Sequence, residues 1–148
     1  MNPETLYTYA LTLFGIPYQW GGNGPWVSGD YGFDCSGFIQ HLLKKAKVTL
    51  PPGDYTADGL HKYFKGRACP YVGQGALAFF GTSDRTSHVG LMINSQIMIS
   101  AAGGGPSCVN HNTANRMCAS VKIQPVAWWK APPLLECLMS SYPDIRVP

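Results

Sequence analysis

Five apolar residues, Phe38, Ile39, Leu42, Leu43 and Ala46, recur at i, i+1, i+4, i+5 and i+8. That spacing lays one apolar stripe along a helix and predicts a helix over residues 35–46. Asp34 stands at its N-cap position, and Lys44 and Lys45 fall in its last turn, where they complement the backbone dipole. A helix over residues 3–14 is predicted from Asn2, Pro3 and Glu4, which read as a cap, a first-turn proline and a first-turn acid. Gly15 and Pro17 end it. Between these helices, residues 18–34 hold four glycines before Tyr31 and one proline, so no regular element is expected there. Pro51-Pro52-Gly53 marks a loop, and a short helix is expected near residues 56–64.

The pattern then changes period. Residues 76–80, 88–94, 96–101 and 121–129 are short apolar, β-favouring runs. Asn94-Ser95 reads as a tight hairpin turn between two of them. Helices followed by an antiparallel meander define an α+β class. No internal repeat, low-complexity stretch or linker divides the chain, so residues 1–148 are expected to form one domain, with residues 138–148 loosely held.

Composition narrows this further. The chain has 148 residues, which suits a single core without staples. Its 17 glycines and 12 prolines against 13% charged residues favour a compact sheet with many turns over a helical bundle. A net charge of +3 makes no case for nucleic acid. Lys44, Lys45, Lys47, Lys62, Lys65 and Arg67 fall in one quarter of the chain. They read as a solvated face or as a weak steering patch for an anionic polymer. No apolar run reaches 18 residues and the N-terminus lacks a cationic start, so neither a transmembrane helix nor a secretory signal peptide is expected. Five cysteines without secretory context read as reduced thiols.

The candidate chemistry centres on Asp34-Cys35-Ser36-Gly37, which opens a helix after a Gly-rich loop. Unpaired N–H groups and the positive end of the helix dipole stabilise a thiolate there, which predicts a lowered Cys35 pKa. The Cys35 N–H is free to donate to an oxyanion. The alternative is a buried structural thiol. His88 opens the run His88-Val89-Gly90-Leu91-Met92-Ile93, where a strand can fix it facing a cleft. A cysteine and a distant histidine form the minimal nucleophile–base pair. Cys108, His111 and Cys118 match no metal spacing and read as a loop with incidental thiols. His41, six residues from Cys35, is expected to lie off the site, and His61 on the short helix.

Tyr18-Gln19-Trp20-Gly21-Gly22, then Phe33-Asp34-Cys35-Ser36-Gly37-Phe38-Ile39-Gln40, then Gly75-Ala76-Leu77-Ala78-Phe79-Phe80, then His88-Val89-Gly90 together resemble the NlpC/P60 family of cell-wall cysteine peptidases. The likeness spans about residues 6–130 and includes Ala57-Asp58-Gly59-Leu60 and the run from Met98 to Gly105. It implies a papain-like α+β fold with the nucleophile helix packed on a central antiparallel sheet. It implies hydrolysis of amide bonds in peptidoglycan stem peptides, of the γ-D-glutamyl to diamino acid type, with no cofactor or metal. It implies that Tyr18 lines the site and donates to the oxyanion or substrate. Asp34 would hold a stem-peptide amine, Ser36 would contact substrate, and Ser100, twelve residues after His88, would stand third.

The family usually has a histidine where this chain has Ser100. A serine accepts from an imidazole N–H but supplies no charge, so Ser100 is either an adequate neutral orienter or the mark of an impaired or engineered site. Gly75-Ala76-Leu77 likewise lacks the family's acid. The long insertion holding Trp26 and Tyr31 is expected to form one wall of the cleft, or else a surface loop with its own small cluster. Two other functions remain open: an acyltransferase using the same thioester, and a catalytically silent wall-binding or phage-tail module. The expected partner is a stem peptide, with no nucleic acid, no membrane span and a monomeric state. Without a signal peptide, a wall-acting chain would be phage-borne, injected, or one domain of a processed protein.

Overall fold

The computed structural model describes residues 3–65, 73–82, 84–129 and 134–137. Three helices come first: α1 (Pro3–Thr12), α2 (Cys35–Lys45) and α3 (Ala57–Phe64). Then follow β1 (Ala76–Gly81), β2 (Thr86–Met92), β3 (Ile97–Ala102), α4 (His111–Met117), β4 (Ser120–Pro125), a 3₁₀ turn (Val126–Trp128) and β5 (Leu134–Cys137). The sheet is antiparallel in the order β4-β3-β2-β1-β5. Strands β1 to β4 form the expected meander, and β5 adds to the free edge of β1.

The α+β class and the three helices follow the sequence pattern closely. Asp34 caps α2 and Thr56 caps α3, each accepting an N–H three residues on. Gly15 closes the first helical segment at φ 86°, a conformation that favours glycine. Three expectations change. The run 121–129 is not one strand: Pro125 has no N–H to continue the ladder, and the chain turns into the 3₁₀ segment, which carries Trp128 and Trp129 away from β4. Asn94-Ser95 is not a two-residue turn. The Asn94 side chain gathers the N–H groups of Gln96 and Ile97 in a longer loop closed by Ile93 and Ile97. The segment around His111 is a helix, capped by Asn110 and ended by Cys118 at φ 52°. The expectation for the chain beyond Leu138 lies outside the described residues.

Both faces of the sheet are covered. Leu77, Phe79, Val89, Leu91, Ile99, Ala101 and Val121 pack with α1, α2 and α3 in the larger cluster. Ala76, Ala78, Phe80, Met92 and Met98 form a smaller one under Val126 and Trp129. Two-sided burial explains why the strands read as continuous apolar runs without polar alternation. Each fully buried Leu or Phe here contributes about 1.5–3 kcal/mol of transfer free energy.

One irregularity positions everything that follows. Strand β2 pairs with β1 from Leu91 back to Thr86, but with β3 only at Leu91↔Ile99 and Met92↔Met98. The first residues of β2 therefore stand clear of the β3 ladder. The fold opens between β2 and β3 at the end where α2 begins.

Candidate active site

Cys35 is the first residue of α2, with its sulfur buried in that opening. Three backbone N–H groups reach the sulfur: its own, that of Ser36, and that of Val89, which the shortened β2–β3 ladder leaves unpaired. These donors favour a thiolate, as the helix-start argument predicts. Burial opposes them and wins. Loss of water, helped by the Asp34 carboxylate, pushes the Cys35 thiol up to about 11. The expected lowering is therefore corrected: the resting group is a neutral thiol.

His88 precedes the Val89 that touches the sulfur. Strand alternation turns Val89 and Leu91 toward the helices, and His88, Gly90 and Met92 toward the smaller cluster. The imidazole Nε2 lies 3.1 Å from Ser100 Oγ, with both residues buried. The Trp129 ring lies flat on the imidazole, centroids 3.9 Å apart and planes 14° apart, and Phe80 approaches at 5.9 Å. Burial alone holds the imidazole well below its ordinary value, at about 3. It is a neutral base at neutral pH. Gly90 is what lets Ser100 approach, because a Cβ there would stand 2.7 Å from Met98 Sδ and 3.2 Å from Ser100 Cβ. Among the described residues no hydrogen bond joins sulfur to imidazole.

The helix start is tied to the Gly-rich loop by a single carboxylate. Asp34 Oδ1 accepts from the Gly37 N–H at 2.7 Å and the Ser36 hydroxyl at 3.1 Å, and Oδ2 accepts from the Gly21 N–H at 3.1 Å. Both oxygens are thus engaged within the chain, and so is the Ser36 hydroxyl. Gly37 lets the loop dock: a Cβ there would come within 2.0 Å of the Gly22 carbonyl oxygen. Gly37→Ala is expected to cost about 1–3 kcal/mol by overpacking. Urea unfolding measures this, and an unchanged midpoint would sink it.

Tyr18 is buried, its ring face seated on the backbone at Gly104. Burial first, then the neighbouring Cys35, Asp34 and Cys108, push its hydroxyl well above the ordinary phenol range. It stays a protonated donor beside the sulfur. With Trp20, Asp34, Cys35, Asp54, Tyr55 and Arg85 it lines a cleft of about 610 Å³. The far wall is held by Gln40. Its Nε2 donates to the carbonyls of Ser36 and Tyr55 and to Asp54 Oδ1, and its Oε1 accepts from the Tyr55 N–H. His61 secures the rim by bonding Thr86 Oγ1 at 2.7 Å.

The insertion is not a cleft wall. Trp26 stacks on His41 at 5.2 Å, and Tyr31 meets His111 edge-on, so both belong to the surface cluster that was the other expectation. His41 bonds the Tyr9 hydroxyl away from the sulfur. Cys108 is a buried free thiol that donates to the Tyr18 carbonyl, whereas Cys118 is free and exposed. Among the described residues no group of three or more His, Cys, Asp and Glu could hold a metal. Trp129, Gln40 and Arg85 have places at the site that the sequence did not suggest. Gln40 carried a signal only as the last residue of the run Phe33-Asp34-Cys35-Ser36-Gly37-Phe38-Ile39-Gln40.

The sequence profile of the NlpC/P60 family matches residues 15–123. Over 105 residues the chain is 35% identical to the bifunctional muramidase/DL-endopeptidase CwlT of Bacillus subtilis (strain 168), covering 69% of this chain and 30% of that protein. Over 109 residues it is 34% identical to the gamma-D-glutamyl-L-lysine dipeptidyl-peptidase of the same organism, covering 70% and 33%. The chain thus spans about a third of these relatives. Among solved structures, the NlpC/p60 domain of the peptidoglycan hydrolase SagA aligns at a TM-score of 0.63 with 27% identity, covering 92% of this chain and 98% of that one.

Proposed function

This chain belongs to the NlpC/P60 family, and from that premise we propose that it is a cysteine-nucleophile hydrolase of peptidoglycan stem peptides, cutting a γ-D-glutamyl to diamino acid bond. The observation that carries the reading is the Cys35 sulfur lining a cleft and reached by three N–H donors, one of them from Val89, the residue that follows the buried His88 held by Ser100. The amide type rests on the names of the curated relatives, a DL-endopeptidase and a γ-D-glutamyl-L-lysine peptidase among them.

The chemistry starts from two neutral groups. The mechanism uses the tautomer that carries its proton on Nε2: that N–H donates to Ser100 Oγ, and the Nδ1 lone pair is left for the thiol proton. As the proton moves to Nδ1, sulfur bonds to the scissile carbonyl carbon and its oxygen takes up negative charge. The N–H groups of Cys35 and Ser36 and the Tyr18 hydroxyl are the donors for that oxygen. Collapse breaks the C–N bond, and the imidazolium returns its proton to the leaving nitrogen. A water then gives a proton to His88 and attacks the thioester, which releases the acid and restores the thiol. Ser100 keeps the imidazole oriented but adds no charge, so the imidazolium is a transient species here.

Digestion of purified peptidoglycan followed by mass spectrometry tests the reading. Loss of intact stem peptides should accompany fragments with a newly free diamino acid amine. Unaltered muropeptides would overturn it. They would instead favour a silent wall-binding module, a reading supported by the neutral resting pair and the uncharged third residue.

A further inference from the structure

The contacts of His88 are all with uncharged groups among the described residues. Ser100 Oγ meets its Nε2 at 3.1 Å, the Phe80 ring stands 5.9 Å away, and the Trp129 ring lies on its face at 3.9 Å with planes 14° apart. Burial is the one cause that shifts the imidazole, with no contribution from a charged side chain. Yet the proposed chemistry charges this ring twice: once when it takes the thiol proton, and again when it takes a proton from water. In a dry site, an imidazolium without a compensating partner is costly. Trp129 is set against that ring by a turn of the backbone. Pro125 ends β4, the Val126 N–H donates to the Gln96 carbonyl at 2.9 Å, and the Trp129 N–H donates to the Val126 carbonyl at 3.1 Å. Phe80 packs beside the indole, ring centroids 5.0 Å apart. Of the described residues that line the Cys35 cleft, Trp129 is not one.

We propose that Trp129 is a positioning residue acting through His88: its indole face, in place of a charged third residue, stabilises the imidazolium that forms during the reaction. The proposal rests on the hydrolase reading. An aromatic face is electron-rich and attracts a cation within about 6 Å of its centroid, most strongly in tryptophan and more strongly where water is excluded. The stacked pair lies well inside that range. A neutral imidazole gains little from the same face. The benefit therefore falls on the charged state, and so on the barrier more than on the resting enzyme. Burial still keeps the resting ring neutral, and the indole reduces the penalty of charge when it forms. Ser100 sets the direction of the imidazole and Trp129 its electrostatics. Two residues thus share the work that a charged third residue of a triad does alone.

The test is steady-state hydrolysis of a synthetic alanyl-γ-D-glutamyl-lysyl peptide. Trp129→Leu keeps apolar cover on the imidazole but has no aromatic face. It should lower kcat by about tenfold or more and leave KM within about twofold. Trp129→Phe keeps a weaker face and should recover most of that loss. Fluorinated tryptophans placed at position 129 alone keep the ring's shape and withdraw electron density from its face. They should lower kcat in step with the number of fluorines while the urea midpoint stays at the native value, which decides the matter even if Trp129→Leu does not fold. Native kcat in a folded Trp129→Leu, or a kcat indifferent to fluorination, overturns the role of Trp129 and leaves the hydrolase reading standing. A native chain that cleaves neither the peptide nor peptidoglycan overturns both.

Discussion

Cys35→Ala is expected to lower release of new amino groups from peptidoglycan by a factor on the order of 10⁴ or more, the scale seen when a nucleophile is removed from a coupled catalytic unit. No neighbour can take over. The Ser36 hydroxyl is bound to Asp34, and Cys108 is fully buried behind Tyr18 with its thiol donating to the Tyr18 carbonyl. Cys35→Ser should fare little better, because a hydroxyl is a poorer nucleophile and His88 is a neutral base without a charged partner. The fold should survive in both variants. The helix start is held by Asp34 and Gly37, not by the sulfur, and alanine at the first helical position is well tolerated. Thermal unfolding within a few degrees of the native chain, with activity gone, is the expected pair of results. Substantial hydrolysis by Cys35→Ala would remove the sulfur from the mechanism.

The second large effect is on stability in acid. His88 has an ordinary value of 6.5 and is held at about 3 in the fold. The unfolded chain therefore binds the proton first. The contribution of the neutral imidazole is whole above about pH 6.5 and is lost as the pH falls toward 3. At about 1.4 kcal/mol per pH unit over about 3.5 units, the loss reaches about 5 kcal/mol. That is a large part of a typical domain's stability. Between pH 7 and pH 4 the native chain should lose about 3 kcal/mol more than His88→Gln, measured by urea unfolding at both values. Equal losses would mean that the imidazole is already charged, or hydrated, in the fold. Alkali acts on the other partner. The Cys35 thiol rises from 9.0 to about 11, so the unfolded chain ionises first and stability falls across that interval.

Much of this site is written in local signals. The stripe from Phe38 to Ala46 placed α2, Asp34 fitted the cap rule, and the twelve-residue step from His88 to Ser100 corresponds to a contact the structure contains. What escaped has physical causes. The neutral thiol escaped because N–H donors at a helix start are a local property, whereas burial by the opposing strand is not. Helix α4 escaped because His111 to Met117 shows no apolar period. It is held by its Asn110 cap and a single buried residue, Ala114. Trp129 escaped because the apolar run 121–129 was read through Pro125, the residue where the ladder ends. The face that His88 presents is unreadable from alternation when both sides of the sheet are dry.

The Asp34 knot also bears on how such a domain can change over generations. Within Asp34-Cys35-Ser36-Gly37, three residues hold the loop to the helix and one carries the sulfur of the proposed nucleophile. Selection for folding alone preserves the first, third and fourth letters. Selection for turnover alone guards the second. A descendant that gave up hydrolysis for adhesion would drift first at the cysteine and keep the frame around it. Its signature would be three conserved neighbours surrounding a substituted centre.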